Sequence, residues 1–100
     1  MKIATFNING IKARAETLCR WLDETNPDVA ILQEIKSVDE NFPCDLFEER
    51  GYNVETHGQK SFNGVAILSK YPLEDVVRGL PGDDSDEQAR WIEATVVSKT

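Results

Sequence analysis

The chain has 100 residues, enough for one domain and too few for two, so its core must come from a single set of packed elements. Apolar residues make up 40% and charged residues 29%, with six Gly and four Pro, a composition that excludes disordered and membrane-embedded classes. The net charge of −7 argues against a large basic face for nucleic acid, and it suits a site that collects a hard divalent cation.

No apolar run approaches the roughly 20 residues that span a bilayer. The stretch Met1 to Asn7 reaches a polar residue too soon for a signal-peptide core, so a cytoplasmic address is expected. Lys2 to Asn7 predicts a short strand, with Ile3 and Thr5 on one face and Ala4 and Phe6 on the other, and Asn9-Gly10 marks a turn. From Ala13 to about Glu24, the spacing of Leu18, Trp21, Leu22 and Thr25 follows one face of a helix. Asn26-Pro27 stops it, because proline disfavours helical backbone in the residue before it.

Val29-Ala30-Ile31-Leu32 is a continuous apolar run, the pattern of a strand buried on both faces of a sheet. Strand, helix and strand together make a βαβ unit whose crossover lets the two strands lie parallel. Asn7 and the residues after Leu32 then reach one edge of the sheet, where ligands of open α/β sheets bind. Pro43 to Arg50 predicts a short helix carrying Leu46 and Phe47, with Gly51 as its C-terminal cap.

Tyr52 to His57 and Val65 to Ser69 predict a hairpin joined by residues 58–64. A polar stretch, residues 79–87, precedes a last strand from Trp91 to Val97, and residues 96–100 read as a strand running into a turn. The chain is therefore expected to be interrupted within a hairpin. Cys19 and Cys44 stand in unrelated contexts, which predicts two buried thiols in a reducing compartment; a disulfide between them stays open.

Glu34 follows directly on a buried strand at the edge where burial gives way to solvent. A carboxylate there is either a solvated strand-end acid, the default from pattern alone, or a ligand of Mg²⁺, which prefers one or two carboxylates and keeps several waters. Asn7 ends the neighbouring strand, so its amide would either bind the metal or orient the carboxylate. Asn9 offers another oxygen on the same loop, although Asn before Gly is also an ordinary turn residue. Asp39-Glu40-Asn41 has the letters of an Asp-x-Asn motif but lies in a polar loop, and reads as chance. His57, the single histidine, reads as a strand-end residue. Asp83 to Glu87 lacks the glycine of a calcium loop and reads as a solvated acidic loop.

Several motifs in register carry a resemblance: Phe6-Asn7-Ile8-Asn9-Gly10-Ile11-Lys12-Ala13-Arg14, Pro27-Asp28-Val29, Leu32-Gln33-Glu34-Ile35-Lys36, Gly51-Tyr52-Asn53-Val54, His57-Gly58-Gln59-Lys60, Gly64-Val65-Ala66-Ile67-Leu68-Ser69-Lys70, Arg78-Gly79-Leu80-Pro81-Gly82-Asp83 and Gln88-Ala89-Arg90. Together they resemble the start of the exonuclease III and abasic-site (AP) endonuclease family, within the endonuclease/exonuclease/phosphatase superfamily, over nearly the whole chain.

The resemblance implies an α/β fold, the N-terminal part of a four-layered α/β sandwich of the DNase I-like type, with one mixed sheet and flanking helices. It implies a Mg²⁺-dependent DNA-repair enzyme, with Mn²⁺ as a substitute, that cuts double-stranded DNA at abasic sites and digests it from 3′ ends. Such an enzyme would be a nucleoid-associated monomer with no membrane partner. Glu34 matches the family's metal-binding glutamate and Asn7 the asparagine lining the same site; both are the candidate catalytic residues. Asn9 stands where related endonucleases carry an aspartate. The family's water-activating residues, a tyrosine, an Asp-x-Asn motif, a further aspartate and an Asp-His pair, fall beyond residue 100, so the fragment alone is expected to be inactive.

Lys12, Arg14, Lys36 and Lys60 would form a basic rim that meets phosphates without reading sequence; Lys36 is alternatively a partner of Glu34 or Asp39. Phe62 stands where related endonucleases place an aromatic against the DNA strand, and otherwise is an exposed hairpin residue. Arg90 matches a family arginine near phosphate. Two other functions compete: a superfamily phosphatase acting on inositol lipids or sphingomyelin, and a small α/β binding module without catalysis. If the family fold applies, the sheet needs a second sheet to cover it, and the chain by itself exposes apolar surface.

Overall fold

Alternating side chains at the start of the chain form β1 (Ile3–Asn7), and the apolar stripe that follows winds into α1 (Ile11–Thr25). A computed structural model describes residues 1–59, 62–79 and 89–98. Beyond α1 come β2 (Val29–Gln33), a single 3₁₀ turn (Asp39–Asn41), α2 (Cys44–Glu48), β3 (Asn53–His57), β4 (Val65–Ser69), β5 (Leu73–Arg78) and β6 (Ile92–Val96). The helix begins two residues before the predicted Ala13 because Ile11 donates its N–H to Ile35 O at 2.9 Å, anchoring the first turn to the end of β2. It ends where expected: Asn26 takes left-handed backbone, φ 49°, and returns its N–H to Leu22 O.

β1 and β2 pair in parallel, with Ile3 opposite Val29 and Asn7 opposite Gln33. β4 joins β2 antiparallel and β3 joins β4 antiparallel, giving a mixed sheet in the order β1-β2-β4-β3. The expected hairpin is thus β3–β4. The expected short helix is α2, and its last turn closes in a Schellman cap. Gly51, at φ 86°, donates to Glu48 O at 3.0 Å, and Tyr52 donates to Phe47 O at 3.1 Å.

β5 carries no readable strand pattern. Its pairing with β6 shifts register between Glu74 and Val77, and Asp75 sits at φ 52°; a bulge breaks the alternation by which a strand is recognised. Arg78 ties this pair to the main sheet through Thr56 O and Glu55 Oε2, each at 2.6 Å. The predicted acidic loop, Asp83 to Glu87, lies outside the described residues.

One face of the sheet supplies the core. Ala30, Leu32, Ala66 and Leu68 meet Ile11, Leu18 and Leu22 of α1 and Phe47 of α2, and each such Leu, Ile or Phe contributes about 1.5–3 kcal/mol by leaving water. Tyr52 is buried in the same cluster with its hydroxyl donated to Pro27 O at 2.7 Å. The opposite face starts open at β1: Ile3, on the side away from α1, is 60% exposed. Farther along the same face Val29, Ile67 and Val65 are buried, so the exposed apolar surface on this side is confined to its β1 end.

Both cysteines are free; Cys19 is buried as expected, but Cys44, at the start of α2, is only half-buried. Burial pushes both thiols above the usual cysteine range, which lowers their thiolate fraction at pH 8, and alkylation requires the thiolate. Iodoacetamide at pH 8 should therefore label Cys44 before Cys19, and both much faster in urea. Native Cys19 reacting at the unfolded rate would contradict this packing.

Candidate functional site

Because β1 and β2 run parallel and in register, the chain leaves both strands at the same sheet edge, and Glu34 is the first residue past β2. Asn7 Nδ2 donates to Glu34 Oε2. The other end of the Asn7 amide accepts the Asn9 N–H at 3.1 Å, so this amide is fixed at both ends. Asn9 Oδ1 accepts from Lys36 Nζ, and the Asn9 carbonyl accepts from Arg14 Nη1 at 2.7 Å. The structure thereby links Asn7, Glu34, Asn9, Lys36 and Arg14 in one hydrogen-bonded chain. Lys36 pairs with Asn9, and neither Glu34 nor Asp39 is its partner.

The backbone at this edge is strained. Asn9, Glu34, Lys36 and Asn63 all have φ between 48° and 54°, a region that asparagine tolerates and that costs other side chains about 1–2 kcal/mol each. Backbone hydrogen bonds hold the two unfavourable cases: Gly10 N–H to Glu34 O at 2.8 Å, Ile35 N–H to Gly64 O at 3.1 Å and Lys36 N–H to Asn63 O at 2.9 Å. Strain retained in this way concentrates at functional positions. Here it turns Glu34 out of the strand direction and into a shallow cleft shared with Asn63, Gly64, Ala89 and Arg90.

A second cleft, of about 590 Å³, opens beside the N-terminus of α1 and is lined by Lys12 and Lys36 together with Ser37 and Asn41. Lys12 and Lys36 thus line one cleft and Glu34 and Arg90 the other, while Arg14 reaches the site through the Asn9 carbonyl. Phe62 is 67% exposed on the β3–β4 loop. Lys60 lies outside the described residues. His57 ends β3 as expected, its Nδ1 3.1 Å from Trp91 O.

Among the described residues no three His, Cys, Asp or Glu side chains come together as a metal cluster. The donor set is one half-buried carboxylate, which fits a cation that keeps most of its water and takes further oxygens from phosphate. The Asn7 oxygen accepts a backbone N–H and the Asn9 oxygen an ammonium, and each amide oxygen keeps a second lone pair that a cation could use.

Two features escaped sequence reading. Asp39, dismissed as a chance motif, accepts from Thr56 Oγ1 and from the Gly58 N–H, both at 2.7 Å, and so clamps the loop after Glu34 to the end of β3. Gln59 joins Ser37, Asn63 and Ala89. Neither left a local signal, because Thr56 lies 17 residues from Asp39 and Ala89 lies 30 residues from Gln59.

Residues 4–100 match the endonuclease/exonuclease/phosphatase family. The chain is 47% identical over 94 residues to exodeoxyribonuclease III of Haemophilus influenzae, covering 94% of this chain and 35% of that protein. A 3′ phosphatase from Neisseria, solved with a product DNA hairpin, superposes with a TM-score of 0.93 at 40% identity, covering 96% of this chain and 37% of that one. An AP endonuclease from Archaeoglobus fulgidus gives 0.91 at 41% identity, with 96% and 37% covered. The mixed α/β fold is thus that of the DNase I-like nucleases, and the chain spans about a third of the length of these relatives.

Proposed function

Since this chain belongs to the endonuclease/exonuclease/phosphatase family, we propose that it is the N-terminal part of one catalytic domain of an exodeoxyribonuclease III that also nicks DNA at abasic sites. The observation that carries this is the Asn7–Glu34 pair at the edge shared by two parallel strands, with Lys12 and Lys36 in one adjoining cleft, Arg90 in the cleft of Glu34 and Arg14 on the Asn9 carbonyl. The identity to nucleases of this type supports DNA over inositol lipids or sphingomyelin, and a non-catalytic module would not require a strained glutamate at this edge.

Glu34 would hold Mg²⁺, with Asn7 orienting its carboxylate and Asn9 holding Lys36 in place. When bound, the metal supplies charge neutralisation on a phosphodiester and stabilises the leaving oxygen. Arg14 and Lys36 are held at the site by Asn9, and with Lys12, Lys60 and Arg90 they would meet backbone phosphates, which position a duplex without reading its sequence. Phe62 would lie against the strand. Positioning and deprotonating the attacking water falls to residues outside this chain, so turnover belongs to the complete domain, acting as a monomer on chromosomal DNA in the cytoplasm.

The test is cleavage of duplexes carrying one abasic-site analogue, a recessed 3′ end or a 3′ phosphate. The complete protein should process them with Mg²⁺ and stop in EDTA, and residues 1–100 alone should not turn over. Inertness of the complete protein toward all three would refute the reading. Lys12→Ala should weaken binding equally across sequences and reduce the slope of log K against log salt by about 1; an unchanged slope removes Lys12 from the interface.

A further inference from the structure

The loops that meet around Glu34 and Arg90 are joined through one side chain that the proposed reaction leaves unused. Gln59 Oε1 accepts the Ala89 N–H at 2.9 Å and Asn63 Nδ2 at 3.2 Å, while the Gln59 N–H donates to Ser37 O at 3.0 Å. Each partner leads to the site within one or two bonds. Asn63 and Gly64 accept the N–H groups of Lys36 and Ile35, the two residues after Glu34. Ala89, 1% exposed, accepts the Gly64 N–H at 2.7 Å and directly precedes Arg90. Glu34 and Arg90 line one cleft, and the carboxamide of Gln59 ties together the backbones that carry them.

We infer that Gln59 is a positioning residue that sets Arg90 against Glu34 across this cleft, and so fixes where a phosphate sits relative to the carboxylate. The inference rests on the proposed DNA-cleaving function for its consequence, but not for its geometry. Gln59 touches no substrate in this role; its carbonyl oxygen is a two-donor anchor, and the leucine of nearly equal size lacks it. A glutamate keeps an oxygen in the same place and can accept both N–H groups.

The test uses the complete protein and an abasic-analogue duplex in EDTA, with affinity read by fluorescence anisotropy. Gln59→Leu should weaken binding about tenfold. In the double-mutant cycle with Arg90→Ala the two losses should overlap, so that the double variant binds no worse than Arg90→Ala alone. In the cycle with Lys12→Ala, in the other cleft, they should multiply. Losses that multiply with both partners would show general loosening and overturn the inference.

Failure of the unsubstituted protein to bind DNA would instead sink the proposed function. The geometry is then read by amide hydrogen exchange. Ala89 and Gly64 should exchange faster in Gln59→Leu and return to native protection in Gln59→Glu. Unchanged protection in Gln59→Leu, or no recovery in a folded Gln59→Glu, would overturn the role of Gln59. Glutamate is the informative variant if leucine prevents folding.

Discussion

Replacing Glu34 with glutamine should reduce Mg²⁺-dependent nicking by the complete protein at least about a hundredfold, a loss of the size seen when a group stabilising transition-state charge is removed, while leaving the fold intact. The substitution keeps shape and keeps an oxygen for Asn7 Nδ2, but it removes the carboxylate proposed to hold the metal. The backbone of residues 34–36 is held by bonds from Gly10, Gly64 and Asn63 that do not involve the side chain. Stability and activity should therefore separate. Glu34→Gly makes the separation sharper: it relieves the left-handed strain at φ 53° and should be no less stable than the parent, yet inactive. Nicking rates titrated against Mg²⁺, beside thermal melts, check both; a near-normal rate for Glu34→Gln at low Mg²⁺ would take Glu34 out of the site.

Gly58→Ala should be the most damaging single methyl addition among the described glycines. A Cβ there would lie 2.2 Å from Ser37 O and 2.9 Å from both Asp39 N and Val38 C, all backbone atoms that cannot swing aside. Making room means separating the loop after Glu34 from the end of β3, which also strips the Gly58 N–H from Asp39. Overpacking of this kind costs about 3 kcal/mol or more, which lowers the midpoint of a domain some three times this length by about 6 °C or more. Gly51→Ala is the control. Its Cβ meets nothing within 4 Å and only the φ of 86° opposes it, so its cost is about 1–2 kcal/mol. A midpoint for Gly58→Ala within two or three degrees of Gly51→Ala would mean that the two loops are not closed as described.

The elements that sequence reading placed are those whose signal is local. Leu18, Trp21 and Leu22 repeat at helical spacing, Val29 to Leu32 is an unbroken apolar strand, and Asn26-Pro27 and Gly51 stop helices through their own backbone preferences. β5 went unread because a bulge at Asp75 breaks the period by which strands are recognised. Cys44 was read as buried, and half of it is not, because the five-residue α2 has too little length to bury more than the face carrying Phe47.

By itself the sequence determined the βαβ unit, the β3–β4 hairpin and, from these, the meeting of Asn7 with Glu34. A parallel crossover of this length has one common handedness, and it brings both strand ends to one edge. Only the tertiary structure decided what that edge is made of. The left-handed backbone at Glu34 and Lys36, the turning of the Asn7 and Asn9 oxygens toward other partners, the clamp at Asp39 and the anchor at Gln59 all depend on hydrogen bonds across loops from different parts of the chain. Such bonds leave no periodicity in the sequence, because a single polar side chain is compatible with solvent until the partner that claims it has been folded into place.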